Sequence, residues 1–460
     1  MSAHCLAGVA VLNALFLAAG VALLGLLREM RTWGEVARLG GLAFVTGFAA
    51  VASIWTLLLI AGVPFSLGVV VLVPIVVLAG AGTIARRRGR SMPQRGELPS
   101  GWSAVVGAVG IASAGVLLEG MFRASRLSGL YAWDAWAFWI PKAKAIYFFG
   151  GLDVQVFKTA SGPSYPPLVP TLDAALFHAM GRPDVTTLHV QYWLFAVAFT
   201  WALAGILAER VPGWLLWPFV LVILVAPRIG RRFSIPEADL LLDLLFVLAS
   251  VLIALFIVER TRWRLAIATI LMSAMVLTKR EGLLLLALLV AAALLASPRD
   301  WRFVWPRMAV SAAVALAVAA PWRIWYVAHG IGGEGPSESA VNPTENAARL
   351  WPSFRLAFDV LFSSDYWSVI VPVAIGALVL AALARSYTLA VFFGSLTALV
   401  VLGGGWITWA IPELPITQEP SGNPIVRYMG AAALLCAAAS PVLLASTWSA
   451  VTSSEKGDST

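Results

Sequence analysis

A chain of 460 residues that is 60% hydrophobic and 12% charged carries about half the charge of a soluble domain, which excludes a soluble fold. Apolar runs of about 20 residues recur and the alternating pattern of outer-membrane strands is absent, so the expected class is an all-α polytopic membrane protein. The net charge of +8 is first explained by the loop asymmetry that orients such a protein, and nucleic acid is not an expected partner.

Thirteen spans are expected, at 6–27, 39–62, 66–85, 103–121, 187–208, 213–227, 239–258, 263–278, 282–297, 308–327, 367–384, 387–405 and 428–447. The runs 213–227 and 263–278 are short and suit tilted partners or broken half-helices. Residues 1–100 read as extra leading helices and 101–460 as the main body. The first run lacks the basic flank and small-residue cleavage site of a signal peptide. Cys5 and Cys436, far apart, give neither a disulfide framework nor metal-ligand spacing.

The run ARRRGRSMPQR, with Arg86, Arg87, Arg88, Arg90 and Arg95, is the strongest cytoplasmic signal. Alternation then places the N-terminus outside, the C-terminus inside, and three long segments outside: 122–186, 328–366 and 406–427. On this topology 17 of the 32 Lys and Arg fall inside and 15 outside. Basic residues kept on the outer face against the topological bias suggest an anion bound there. Solvated loop charges and headgroup contacts are the plainer reading.

The first long loop reads YAWDAWAFWIPKAKAIYFFGG and then SYPPLVP. Its first part is expected to be an amphipathic helix lying in the interface. The prolines Pro166, Pro167 and Pro170 are expected to exclude helix after it, with Tyr165 extended before Pro166. The second loop, GIGGEGPSESAVNPTENAARLWPS, is Gly/Pro/Ser-rich at its start and reads as a lid or a linker.

Four places can carry chemistry. Asp134, between Trp133 and Trp136, can take a proton from a hydroxyl or hold a divalent cation; it can equally cap the helix that follows. Glu237 and Asp239 follow Pro236, where a helix dipole favours acids, and Asp243 lies one turn further into an apolar span, a functional position by default. In TKREG, Lys279 and Arg280 suit a phosphate, or pair with Glu281 in a tight turn. Arg427, at the outer start of the last span, can contact an anion or snorkel to headgroups. The four histidines share no motif, and no Walker loop, dinucleotide fingerprint or nucleophile elbow is present, which argues against nucleotide chemistry.

WDAWAFWIPKAKAIY, SYPPLVP, PEADLLLDLL, LTKREG and the late VRY together resemble the GT-C superfamily of polytopic glycosyltransferases. The likeness is closest to bacterial members related to protein O-mannosyltransferases and aminoarabinose transferases. It covers roughly residues 103–330, and the remainder more weakly. Members often carry two near-adjacent acids in the first loop, whereas Asp134 is followed by Ala135. The resemblance implies inverting transfer of a sugar from a polyprenyl-phosphate donor to a glycan, lipid or protein acceptor at the extracytoplasmic face of the cell (inner or plasma) membrane. It implies Asp134 as the base and a substrate-binding set of Lys142, Lys144, Tyr165, Glu237, Asp239, Lys279, Arg280 and Arg427, the basic members offsetting the charge of the phosphate leaving group. No cofactor is demanded. Two other classes stay open: a transporter or flippase of lipid-linked sugars, whose basic residues would run through the mid-membrane, and a non-catalytic cell-envelope assembly partner with a degenerate site.

Overall fold

The computed structural model describes residues 1–96, 100–127, 129–130, 132–233, 235–331, 346–411, 414, 416 and 424–457, the side chains of Pro424 and 451–457 aside. The described residues are helical apart from turns, loops and one isolated bridge between Thr32 and Gln94. Nine of their helices are long and apolar enough to cross a membrane: Ala3–Leu27, Gly40–Ile60, Leu67–Arg87, Gly101–Leu127, Val185–Leu207, Ala238–Glu259, Trp301–Ala328, Tyr387–Ala410 and Ile425–Ala450. The chain is therefore a polytopic helical membrane protein. A helix stands at each of the thirteen expected positions. Four of these, Gly213–Val225, Arg262–Thr278, Glu281–Ala296 and Ile370–Leu383, have 13 to 17 residues, short of the roughly 20 that a bilayer takes.

The sequence explains which helix is central. ADLLLDLLFVLASVLIALFIVE is apolar all round, and a helix without a polar face belongs inside; 94% of its spanning window is buried. It packs against Arg262–Thr278, Val185–Leu207, Glu281–Ala296, Tyr387–Ala410 and the last helix, Pro424–Gly457. Leu67–Arg87 and Gly101–Leu127 lie at the periphery, with 22% and 17% buried. The leading helices join this body. Gly40–Ile60 packs on Val185–Leu207 and Arg262–Thr278, and Asn13 exchanges two hydrogen bonds with Gln191, of 2.6 and 2.9 Å. Paired amides of this kind tie helices together where water is absent.

Two elements of the first loop differ from expectation. The expected interfacial helix is a π-helical turn, Ala135–Trp139, running into the α-helix Ile140–Phe149. It packs against Leu168–Met180 and buries Phe138, Trp139, Ile140, Ala143 and Ile146, leaving Trp136, Lys144, Phe148 and Phe149 exposed. The pattern misleads because Lys142, counted as polar, is fully buried. The prolines do not exclude helix either. Leu168–Met180 begins directly after Pro167, with Pro170 in its first turn, where a missing N–H costs nothing. In the second loop, residues 332–345, the start of the expected lid or linker, lie outside the described residues; Ala347–Leu361 is helical.

Charged residues gather at the two ends of the bundle. At one end Glu209 meets Arg28, Arg38 and Arg264 at 3.0, 2.7 and 2.8 Å. At the other end of the Val185–Leu207 and Ala238–Glu259 helices lies the second cluster.

Candidate functional site

Six segments converge there: the start of the first-loop helix, the tip of the Pro-Pro loop, the end of the short helix Pro227–Arg232, the start of Ala238–Glu259, the break between Arg262–Thr278 and Glu281–Ala296, and the start of the last helix. Asp134 stands as N-cap of the π-turn but makes no side-chain capping bond. Its Oδ2 instead accepts from Arg427 Nη1, 293 residues away in sequence. The same guanidinium nitrogen lies 3.4 Å from Asp239 Oδ2. Asp239 Oδ1 accepts from Lys279 Nζ at 2.7 Å. Lys279 also lies 3.4 Å from Glu281 Oε1, which accepts the Tyr428 hydroxyl at 3.1 Å. Arg232 donates to Asp243 Oδ2 at 2.5 Å and to the Arg427 carbonyl at 3.3 Å.

The backbone explains why these charges point inward. Lys279 is extended, with φ −155° and ψ 158°, so the chain breaks between two helices and presents its side chain to Asp239. The turn pairing with Glu281 exists but is the longer contact. Asp239 lies in the first turn of its helix, so its dipole advantage and its two cation partners act together. Gly430 makes room for Arg232: a Cβ there would lie 2.0 Å from Arg232 Nη1.

Tyr165 forms the floor beside this cluster. Its ring stacks on Trp139 at 5.6 Å and 25° and lies beneath Arg280 at 4.8 Å and Lys279 at 5.6 Å. Burial pushes its phenol pKa up. The loop before it is pinned from two sides. Lys142 Nζ donates to the Ser161 and Gly162 carbonyls at 3.1 and 2.5 Å, and Trp322 Nε1 donates to the Ser164 carbonyl at 3.1 Å. Gly162 has φ +59°, and a Cβ there would strike the Phe138 and Tyr165 rings.

Seven sequence candidates are thus together: Asp134, Tyr165, Glu237, Asp239, Lys279, Arg280 and Arg427. Lys142 and Lys144 are not. Lys142 is turned to loop carbonyls and Lys144 is exposed. Lys142→Ala should therefore lower thermal stability in detergent, by the roughly 1–3 kcal/mol that an unsatisfied buried group costs, while Lys144→Ala leaves it unchanged. Equal effects would return Lys142 to the surface.

Tyr428 and Trp322 escaped the sequence reading. Tyr428 stands beside Arg427 in VRY, an available signal; Trp322 sits in an apolar helix and gives none. Asp243, a functional position by default from its place in an apolar span, is paired with Arg232.

The cluster sets five carboxyls (Asp134, Glu237, Asp239, Asp243, Glu281) against four cations (Arg232, Lys279, Arg280, Arg427). It is nearly neutral as it stands, so an incoming anion must take a cation from a carboxylate. Among the described residues no three His, Cys, Asp or Glu converge in a way that would hold a metal ion. Glu237, the N-cap residue just outside its span, has its carboxyl pKa pushed up to about 7 by burial and by the charges of Asp239 and Asp134. The sign for stability follows. Below pH 4.5, the group's ordinary value, Glu237 is protonated in folded and unfolded chain alike. As pH rises towards 7 the unfolded chain releases this proton first, so the folded state loses stability across that window. Glu237→Gln should remove this part of the decline between about pH 4.5 and 7; parallel melting curves for both proteins would refute it.

Beneath the charges a narrow cavity of about 20 Å³ runs between Ala238–Glu259, Glu281–Ala296, Tyr387–Ala410 and the last helix. Asp239, Asp243, Glu281, Arg427 and Tyr428 line its polar end, and Leu242, Leu284, Leu288, Val400, Ile407 and Ala431 its apolar length. The chain matches no family model, no curated protein and no solved structure.

Proposed function

We propose that the chain is a membrane glycosyltransferase of GT-C type that moves a sugar from a polyprenyl-phosphate donor to an acceptor at the extracytoplasmic face. The observation that carries this reading is one juxtaposition: Asp239, Asp243, Glu281, Arg427 and Tyr428 stand at the polar end of a cleft that is apolar along the rest of its length, with Asp134 and Lys279 ion-paired to that end. As it stands the cleft has room for about one water, so a donor with a phosphate at one end and a hydrocarbon chain at the other has to part the helices that line it.

The chemistry runs from the resting pairs. The donor phosphate takes Arg427 and Lys279 as partners; arginine can bind two of its oxygens and lysine adds a point charge. That exchange frees Asp134 from Arg427. Asp134 accepts the acceptor hydroxyl's proton as the new glycosidic bond forms on the face opposite the breaking C–O bond, giving inversion. The bond electrons leave on the phosphate oxygen, where the fixed cations stabilise the added charge. Tyr165 and Arg280 form one wall of the sugar site, and Glu237 and Asp239 supply acceptors for sugar hydroxyls. In this reading the four short helices complete a thirteen-span bundle, and the cluster end faces outward because the Arg86–Arg95 run faces the cytoplasm.

The test is release of polyprenyl phosphate when the purified protein in vesicles receives polyprenyl-phosphate sugars together with a cell-envelope extract as the source of acceptor. No release from any donor in a broad sugar panel overturns the reading. The orientation has its own check. Thr159 is exposed in the first loop and both native cysteines are buried, so Thr159→Cys should react with an impermeant thiol reagent in intact cells. Reaction only after permeabilisation would invert the topology.

A further inference from the structure

A second groove lies on another side of the last helix. The short helices Gly213–Val225 and Ile370–Leu383 both pack against it. Between them is an apolar cavity of about 140 Å³ lined by Pro218, Phe219, Val222, Ile370, Val373 and Ala437, among others. Pro218 and Val373 are exposed on the outer surface of the bundle, so the cavity opens sideways towards the bilayer. An apolar cavity of this size stays dry and accepts a benzene-sized group, the bulk of a few carbons of an acyl chain.

The end of this groove nearer the charged cluster is basic. Gly213–Val225 gives way at Ala226 to the helix Pro227–Arg232, and Ile370–Leu383 is preceded by the helix Ser364–Trp367; these two short helices touch. Arg228 is half-buried and lies 5.9 Å over the ring of Tyr366. Among the described residues no carboxylate lies within ion-pair distance of it, whereas Arg232, one turn on, is paired with Asp243. Burial, and the like charges of Arg232 and Arg231, disfavour the Arg228 cation. A guanidinium in that position gains from an anion.

We propose that this groove binds an anionic phospholipid, with the headgroup phosphate on Arg228 beside Tyr366 and one acyl chain in the cavity. The headgroup phosphate then adds a direct partner to the more distant charge of Glu237, and the chain fills the apolar groove. The proposal does not depend on sugar transfer: the groove shares no lining residue with the cleft beneath Arg427.

The test is native mass spectrometry of the full chain in detergent, titrated with phosphatidylglycerol and phosphatidylcholine of identical acyl chains. Phosphatidylglycerol should be retained about fivefold more, the factor that one basic residue near an anionic headgroup is worth. Arg228→Gln should erase that preference and Arg228→Lys keep it. Val373→Trp, which fills the groove from its lipid side, should lower retention of both lipids. Soluble glycerophosphate at equal concentration should not compete. Equal retention of the two lipids by the wild type, an unchanged preference in Arg228→Gln, or full competition by glycerophosphate each overturns the proposal. Should Arg228→Gln fail to fold, the wild-type comparison and Val373→Trp decide it.

Discussion

Arg427→Ala is expected to lower turnover by about 100- to 1,000-fold. Arg427 holds Asp134 and Asp239 together and in the proposed reaction meets the charge that develops on the phosphate, and removing one such fixed donor costs about 100- to 1,000-fold in rate. Part of the loss falls on donor binding, because the phosphate's bidentate partner is gone. Part falls on the resting protein, which should melt at lower temperature because Asp134 loses its cation and Asp239 keeps only Lys279. Arg427→Lys should restore stability more than turnover, since an ammonium can serve two carboxylates, as Lys279 serves Asp239 and Glu281, but lacks the planar fork that binds two phosphate oxygens at once. A lysine variant that turns over like wild type would reduce Arg427 to a structural tie, and an alanine variant that does so would remove it from the site.

Asp134→Asn separates base from binder. The side chain keeps its size and loses its charge, so proton removal from the acceptor fails and transfer should fall by about 100- to 10,000-fold, the range of general-base contributions. Donor binding should hold or tighten, because asparagine no longer competes with phosphate for Arg427. Donor binding and transfer falling together would assign Asp134 to binding alone. Wild-type transfer would leave Glu237, half-buried beside the same carboxylates with a pKa of about 7, as the better-placed base.

Nine of the expected spans were legible because each is a long apolar run, and the central helix because its run has no polar face. The first-loop helix was misjudged at one residue: a lysine reads as a wet position, yet Lys142 is buried with its ammonium on two carbonyls. Pro170 misled for a related reason, since proline breaks a helix interior but not a first turn. At the site, residue types and the shared face were readable from alternation of spans. The pairings were not. Arg427 reaches Asp134 across 293 positions, and no local pattern selects it over Arg280 or Arg232. The same distance hid the near-neutrality of the cluster, which changes the mechanism from a waiting basic patch to an exchange of partners. Tyr428 stands one residue from Arg427 in VRY, yet its partner Glu281 lies 147 positions away and no local pattern pairs them.

The central claim is that a sugar-bearing polyprenyl phosphate lies with its phosphate on Arg427 and Lys279 and its chain in the cleft along Leu284, Leu288 and Ile407. Mass spectrometry of lipids co-extracted with the purified protein tests it most directly, with Asp134→Asn to trap the donor and Arg427→Ala to release it. The account predicts a polyprenyl-phosphate sugar with the wild type, enriched with Asp134→Asn and lost with Arg427→Ala. Ordinary phospholipids alone in all three preparations would contradict it.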